Sequence, residues 1–392
     1  MGALVVRFGT LHDRPGEEPK RNGHLVIDGD RVVGVDVPAP DGAVAVEAAC
    51  VVPGLVNAHA HLECDASANT VGYFAATTPT RRAITAANNA RLALAAGVTS
   101  VRDLGASNRI ALEVRDAIAC GALPGPNVVA AGNVICMTGG HGSFVGRTVD
   151  GVDDIRRAVR EQRRDGAEWI KFIATGGVLT PGAVPGTAEL TQEELAAGVA
   201  EAHRLGLSAA AHAMGPTGII AALRAGIDSI EHGHLIDAAG IELIVERGTY
   251  LVPTLSAIVC IVEAGPEVGL PAEITRKARE IAEHAGANLG RARAAGARFA
   301  GGSDAGTPFN GHDNYAREVE LMHTMLGMTP REALRAATVH AADLIGLPRG
   351  TLTPGDVADL VCLDRDVDAD ITALRTPTAV VQAGSIVRHG SR

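Results

Sequence analysis

A chain of 392 residues with 46% hydrophobic and 20% charged side chains has an ordinary globular balance and can bury a large core. The formal net charge of −10, with no basic stripe, argues against a nucleic-acid partner. No apolar run approaches the roughly eighteen residues of a membrane span, and the start lacks a basic segment followed by an apolar core and cleavage site. The expectation is a cytoplasmic protein with no membrane partner that acts on a small molecule, with homo-oligomerisation left open. The six cysteines (Cys50, Cys64, Cys120, Cys136, Cys260 and Cys362) are dispersed without a C-x-x-C pair, and read as small buried hydrophobes of a reducing compartment.

In chain order, residues 1–52 hold short β-like runs, ALVVRF, HLVIDGDRVVGVD and AVAVEAACVV, separated by the turn signals DGD and DG. Residues 351–392 repeat the style with DLVCLD and TAVVQAGSIVRHG. Neither end makes a core alone, so the two are expected to pair into one small β-domain. Residues 53–350 alternate strands with helices. The strand candidates are 55–61, 99–104, 127–132, 169–174, 207–213, 228–232, 250–254 and 298–304. Between them lie helical patterns such as RRAITAANNARLALAAG, NRIALEVRDAIACG, TQEELAAGVAEAHRLG and ITRKAREIAEHAGANLGRARAAG. That count fits an α/β fold of the (β/α)8 TIM-barrel class. A doubly wound open sheet is the alternative, disfavoured because no G-x-G-x-x-G follows an early strand.

Chemistry-bearing side chains close or nearly close these runs. His59 and His61 are two apart on a strand and project to one side, where two neutral imidazoles can chelate one zinc ion. Lys171 lies inside WIKFIA, where an ammonium is disfavoured and its pKa would fall. Carbamylation by CO2 would make it an anionic bridge between two metals; a buried lysine paired with an acid such as Asp103 is the alternative. His212 and His232 end consecutive strands and suit a second metal, with satisfied core histidines as the bland reading. His234 is expected at the rim. Asp304, after GGS, can ligate the first metal and accept a proton from water, or simply serve a turn. His141, in the glycine-rich TGGHGSF, can donate to a substrate carbonyl; a loop cap is the alternative. Tyr250, Arg102 and His312 are weaker candidates for substrate contact.

Taken together, PGLVNAHAHLE, the strand lysine, AAHA, SIEHG, GGSDAGTP and the closing AATVHAADLIGL…GTLTPGDVADLVCLD resemble the amidohydrolase superfamily. The closest likeness is to its binuclear prolidase-like branch, which includes Xaa-Pro dipeptidases and imidazolonepropionase relatives. The resemblance spans nearly the whole chain and implies a (β/α)8 barrel at 53–350. It adds a small β-sandwich built from 1–52 and 351–392. By position it implies that His59 and His61 hold the first metal, His212 and His232 the second, and carbamylated Lys171 bridges them. Asp304 then takes the acid/base role and His141 contacts substrate, with zinc the expected metal. Attack of a metal-bridging hydroxide on the amide of a dipeptide such as Xaa-Pro, or of an N-acyl amino acid, is the implied reaction.

A cyclic amidohydrolase, deaminase, lactonase, or carbamate or ester hydrolase is the alternative. Gly215 stands where a deaminase would place a Glu, and Lys171 is present, which disfavours the deaminase. A non-enzymatic binding protein is disfavoured because all six ligand positions are filled. Specificity is expected in the loops 62–80, 138–149, 175–190 and 254–270, whose bulky features are Tyr73, Phe74 and Phe144. Apart from Arg147 they offer no carboxylate clamp, which weakens the dipeptide reading relative to a more hydrophobic amide.

Overall fold

The computed structural model describes residues 2–389. The chain opens with β1 (Leu4–Leu11), β2 (Lys20–Asp28), β3 (Arg31–Val35) and β4 (Val44–Pro53). After Gly54 it enters β5 (Leu55–Ala60), followed by α1 (Thr70–Ala76), α2 (Pro79–Ala95), β6 (Val98–Asp103) and α3 (Ile110–Ala119). A Cβ on Gly54 would lie 2.1 Å from Thr99 Oγ1, so only glycine allows the chain to pass from one sheet to the next this tightly. Three strands come next, β7 (Asn127–Ala130), β8 (Ile135–Met137) and β9 (Arg147–Val149), then α4 (Val152–Asp165).

Strand–helix units continue with β10 (Trp169–Ile173), α5 (Gln192–Arg204), β11 (Ser208–Ala213), α6 (Pro216–Ala225), β12 (Ser229–His232) and α7 (Ala238–Arg247). After β13 (Tyr250–Val252) come α8 (Leu255–Ala264) and the long α9 (Ala272–Ala294). The strand β14 (Arg298–Phe299) precedes α10 (Tyr315–Leu326), α11 (Pro330–Arg335) and α12 (Ala341–Leu344), and β15 (Leu360–Leu363), β16 (Ala379–Gln382) and β17 (Ser385–His389) close the described chain.

The helices begin where local chemistry supplies caps. Thr78 accepts from the Arg81 amide ahead of Pro79, and Thr191 with Glu194 forms a reciprocal capping box on α5. Strands β5, β6 and β10 are buried along their whole length, as parallel strands covered on both faces must be.

All inner strands pair in parallel, in a sheet β5-β6-β7 and a sheet β14-β13-β12-β11-β10-β8-β9. Backbone bonds link the two sheets at both seams. On one side Ala58 N donates to Gly301 O (2.9 Å) and Asp304 N to His59 O (2.8 Å); on the other, Glu168 N donates to Ala130 O (2.9 Å). The eight expected strands all form. Two more, β8 and β9, are three residues each and carry no separate signal in the sequence.

The chain ends do pair, in a seven-stranded sheet ordered β17-β16-β15-β4-β1-β2-β3. The strand pairing is one continuous sheet rather than two separately paired ones. Its apolar residues, among them Val6, Phe8, Leu25, Leu360 and Val381, form a cluster of their own. Among the described residues no helix is long and apolar enough to cross a membrane.

Candidate metal centre

Strand register brings the expected residues level. Ile173 pairs with His212 and Ala213 with His232, so Ile173 of β10, His212 of β11 and His232 of β12 reach one cleft. His59 comes from β5, His61 from just beyond it, and Asp304 from the loop after β14. These five residues and Lys171 line the same cleft with His141 and His234.

Three residues there adopt the left-handed backbone region, at φ +73° for His232, +46° for Thr254 and +57° for Asp304. Such conformations cost on the order of 1–3 kcal/mol each for a non-glycine residue and persist only when the surroundings enforce them. For Asp304 the enforcers are its own amide on His59 O and the Asn310 and Thr307 side chains on its carbonyl (3.2 and 2.8 Å). For His232 and Thr254 it is the 2.7 Å bond between the His232 ring and the Thr254 hydroxyl.

The imidazoles are oriented from behind. His59 Nδ1 donates to Glu231 (2.8 Å), which Arg102 and Ser229 also hold (2.9 and 2.6 Å), and His61 Nδ1 donates to Gly105 O (2.9 Å). Because each Nδ1 meets an obligate acceptor, Nε2 carries the lone pair. Those two Nε2 atoms converge on Asp304 Oδ1 at 3.4 and 3.2 Å, and His59, His61 and Asp304 form a group compact enough to hold an ion. The rings of His232 and His212 continue the chain, 5.3 Å from His59 to His232 and 4.4 Å from His232 to His212.

Burial would lower His61, but the hydrogen bond and charge of Asp304 outweigh it and raise that ring's pKa. Burial keeps His59, His212 and His232 neutral. It lowers His59 to about 4, helped by Lys171, and takes His212 and His232 well below the usual imidazole value. Burial alone would raise Asp304, yet His59, His61 and Lys171 hold it well below the carboxylate range. Burial also brings Lys171 down to about 8, toward the free amine.

Lys171 Nζ and His212 Nε2 are buried with no hydrogen-bond partner among the described residues. An orphaned buried polar atom is costly, and natural chains rarely leave one without reason. The imidazoles and the Asp304 carboxylate form a nitrogen and oxygen donor set of the kind that suits divalent zinc-like cations.

His141 stands on the opposite wall, its ring 4.6 Å from that of His212. Its amide is held by the Glu189 carboxylate (2.9 Å), and its Nδ1 lies 2.9 Å from Thr180 Oγ1. That hydroxyl already accepts from Gly142 N (3.2 Å), and its own proton has one described acceptor, His141 Nδ1. With that hydroxyl donating to Nδ1, the ring proton would sit on His141 Nε2. A Cβ on Gly177 would lie 2.4 Å from it, so that loop position has room for nothing larger than glycine.

Several expectations are corrected. Tyr250 opens β13 and lies at the far end of the strands from the cleft, bonded to Asp343 and Arg298. His312 is buried off the cleft, its Nε2 without a partner among the described residues. Arg102 is locked in the core by Glu231 and stacks 4.3 Å from the Trp169 ring. Asp103 is not the partner of Lys171; it accepts the Leu62 and Gly105 amides. Arg147 is bound by Asp154 and Glu161. His234 does line the cleft, with Nε2 on Pro253 O (2.8 Å) and Nδ1 unpartnered.

The expected loop 254–270 is mostly helix α8, which contributes Ala257, Ile258 and Ile261 to the wall. Glu318 caps that helix, accepting the Leu255 and Ser256 amides at 2.9 and 2.7 Å. Glu231, Thr254, Thr180 and Glu318 escape sequence reasoning because their partners are far away along the chain.

Residues 50–387 match the model of the amidohydrolase family. The chain belongs to that family. Ochratoxinase of Aspergillus niger is 33% identical over 417 aligned positions, covering 96% of this chain and 84% of that one. Among solved structures, a Xaa-Pro dipeptidase with methionine bound in its active site is 30% identical, with a TM-score of 0.90 over 99% of this chain and all of that one. The ochratoxinase crystal structure aligns with a TM-score of 0.88 over 99% of this chain and 96% of its own, at 30% identity. As an amidohydrolase, the protein is a hydrolase of carbon–nitrogen bonds in a generally metal-dependent family. The prolidase-like resemblance of the sequence holds.

Proposed function

We propose that the eight parallel strands close into a (β/α)8 barrel whose C-terminal rim holds two divalent cations, zinc first, and hydrolyses the amide bond of a small molecule. The observation that carries this is the pair of orphaned atoms, Lys171 Nζ and His212 Nε2, buried beside three side chains that already converge. His59, His61 and Asp304 would hold one cation and His212 and His232 the other, with Lys171 as its carbamate between them. Bound there, such cations acidify water and polarise a carbonyl.

The chain's own residues supply the rest. Asp304 takes the proton of the attacking water and returns it to the leaving nitrogen. His141 offers its Nε2 proton to the carbonyl oxygen as negative charge develops there, and Thr180 keeps that proton on the correct nitrogen. The apolar walls exclude bulk water from the reacting atoms. A dipeptide or an N-acyl amino acid is the starting substrate class, supported by the dipeptidase and ochratoxinase relatives.

The test is turnover of a panel of N-acyl amides, dipeptides, lactones and carbamates by zinc-reconstituted protein. The reading expects amide cleavage that a chelator abolishes and zinc restores. Chelator-insensitive cleavage, or cleavage confined to lactones, would contradict it.

A further inference from the structure

His141 is held by a loop that is itself held from outside. Residues 175–190 leave the end of β10 and return to it. Thr175 pairs with Ala188 across an antiparallel bridge, Gly176 N donates to Thr187 O (2.9 Å), and Glu189 N donates to Ala174 O (2.9 Å). These bonds fix the base of the loop beside β10. Its far part, 178–187, places Val178 and Leu179 on the cleft wall and exposes Pro181 and Gly182.

Among the described residues, the hydrogen bonds that tie 178–187 to the chain beyond this loop are made at Thr180 and Gly182. The Thr180 hydroxyl lies 2.9 Å from His141 Nδ1 and accepts from Gly142 N (3.2 Å). The Thr180 carbonyl accepts from Lys277 Nζ (3.1 Å), and Gly182 N donates to Glu273 (3.2 Å). Lys277 and Glu273 pair with each other at 2.6 Å, four residues apart on α9. Thr180 thus faces His141 with its side chain and α9 with its backbone.

An ordinary surface ion pair would be a weak fastening. Lys277 is different, because its side chain is only 4% exposed. A buried ammonium needs its bonds, and lifting the loop would take the Thr180 carbonyl away from it. The other side of the loop is as tight. A Cβ on Gly177 would crowd the His141 ring, so loop and ring share a surface without slack and a shift in one moves the other.

We propose that Lys277, with Glu273, is a positioning residue for His141. The pair fastens the loop to α9 and so sets where Thr180 presents its hydroxyl to the His141 ring. The inference rests on the amide-hydrolysing reading, in which His141 faces the carbonyl oxygen as charge develops there.

Lys277→Met keeps the length of the side chain and deletes the ammonium. In zinc-loaded protein, kcat should fall about tenfold while KM stays within about twofold, the split expected when a transition-state contact is loosened. Metal content should match the wild type. Residue-resolved hydrogen exchange should quicken about tenfold at Gly142, whose amide bonds the Thr180 hydroxyl, and stay unchanged in β11. Glu273→Ala, at a partly exposed position, should lower kcat and quicken Gly142 in the same direction, so a misfolded Lys277→Met protein would still leave a deciding variant. Unchanged kcat and Gly142 exchange in either folded variant, with or without a lower thermal midpoint, would make the pair purely structural and overturns the proposal. If the wild type cleaves no amide, the hydrolytic reading falls, and exchange at Gly142 alone decides whether Lys277 sets the contact between Thr180 and His141.

Discussion

At the N-terminal ends of the parallel strands, Tyr250, Arg298 and Asp343 form a closed set. The tyrosine hydroxyl donates to Asp343 (2.6 Å), Arg298 bonds both, and its guanidinium lies 4.1 Å from the tyrosine ring. At the C-terminal ends, equally polar side chains leave Lys171 Nζ, His212 Nε2 and His234 Nδ1 without partners, beside three residues in left-handed backbone. At the first end Tyr250, Arg298 and Asp343 spend their polar groups on one another, although Ser100 Oγ of β6 is left unpartnered. The other keeps polar atoms unpartnered around an interior cleft and beside strained backbone, which supports the proposed binding of cations there.

Four substitutions test this contrast, in descending order of effect. Asp304→Asn should reduce amide turnover by about 10²–10⁴-fold, the range for loss of a general acid/base, with little change in thermal midpoint. Near-normal turnover would remove Asp304 from the proton path.

Thr180→Val keeps the shape but deletes the hydroxyl proposed to fix the His141 tautomer. It should lower kcat by about tenfold, the scale of one hydrogen bond lost in the transition state, with Thr180→Ser restoring most of it. A selectively ¹⁵N-labelled histidine spectrum should show the His141 proton redistributing between its nitrogens. An unchanged tautomer in Thr180→Val would contradict the assignment.

Glu318, which caps α8 just past the end of β13, carries a pH signature. Burial raises its carboxyl from 4.5 to about 7, so the folded protein holds that proton more tightly than the unfolded chain. The stability from this group is full below pH 4.5 and is lost as pH rises through about 7. Glu318→Gln removes the titration. Its urea midpoint should therefore gain on that of the wild type as pH rises through this window, and parallel midpoints would refute the shift.

The smallest effect is expected at the closed end. Tyr250→Phe should cost on the order of 1 kcal/mol in stability, the net value of its hydrogen bonds, and leave kcat/KM unchanged. A loss of turnover there would erase the distinction between the two ends.

The sequence made one end far more legible than the other. His59, His61, His212 and His232 close or nearly close apolar runs, and the register of parallel strands brings run ends together without further information. Tyr250 opens its run, YLVPT, so its position already placed it at the opposite end; residue type misled where position did not. The helix α8 was hidden because LSAIVCIVEA is apolar at all but Ser256 and Glu263 and shows neither period.

The groups that orient the site were hidden for another reason. Arg102 meets Glu231 across 129 positions and Glu318 reaches Ser256 across 62. Pairings over such distances are written in the fold and leave no local pattern.

The central claim is that the orphaned atoms at the strand ends exist for metal. Elemental analysis of the purified protein, with its native mass spectrum, addresses this directly. The account predicts two equivalents of a zinc-like metal, a mass increment of one CO2 on Lys171, and loss of both the increment and the metal pair in Lys171→Met. Metal-free protein with unmodified Lys171 that still hydrolyses amides would contradict it.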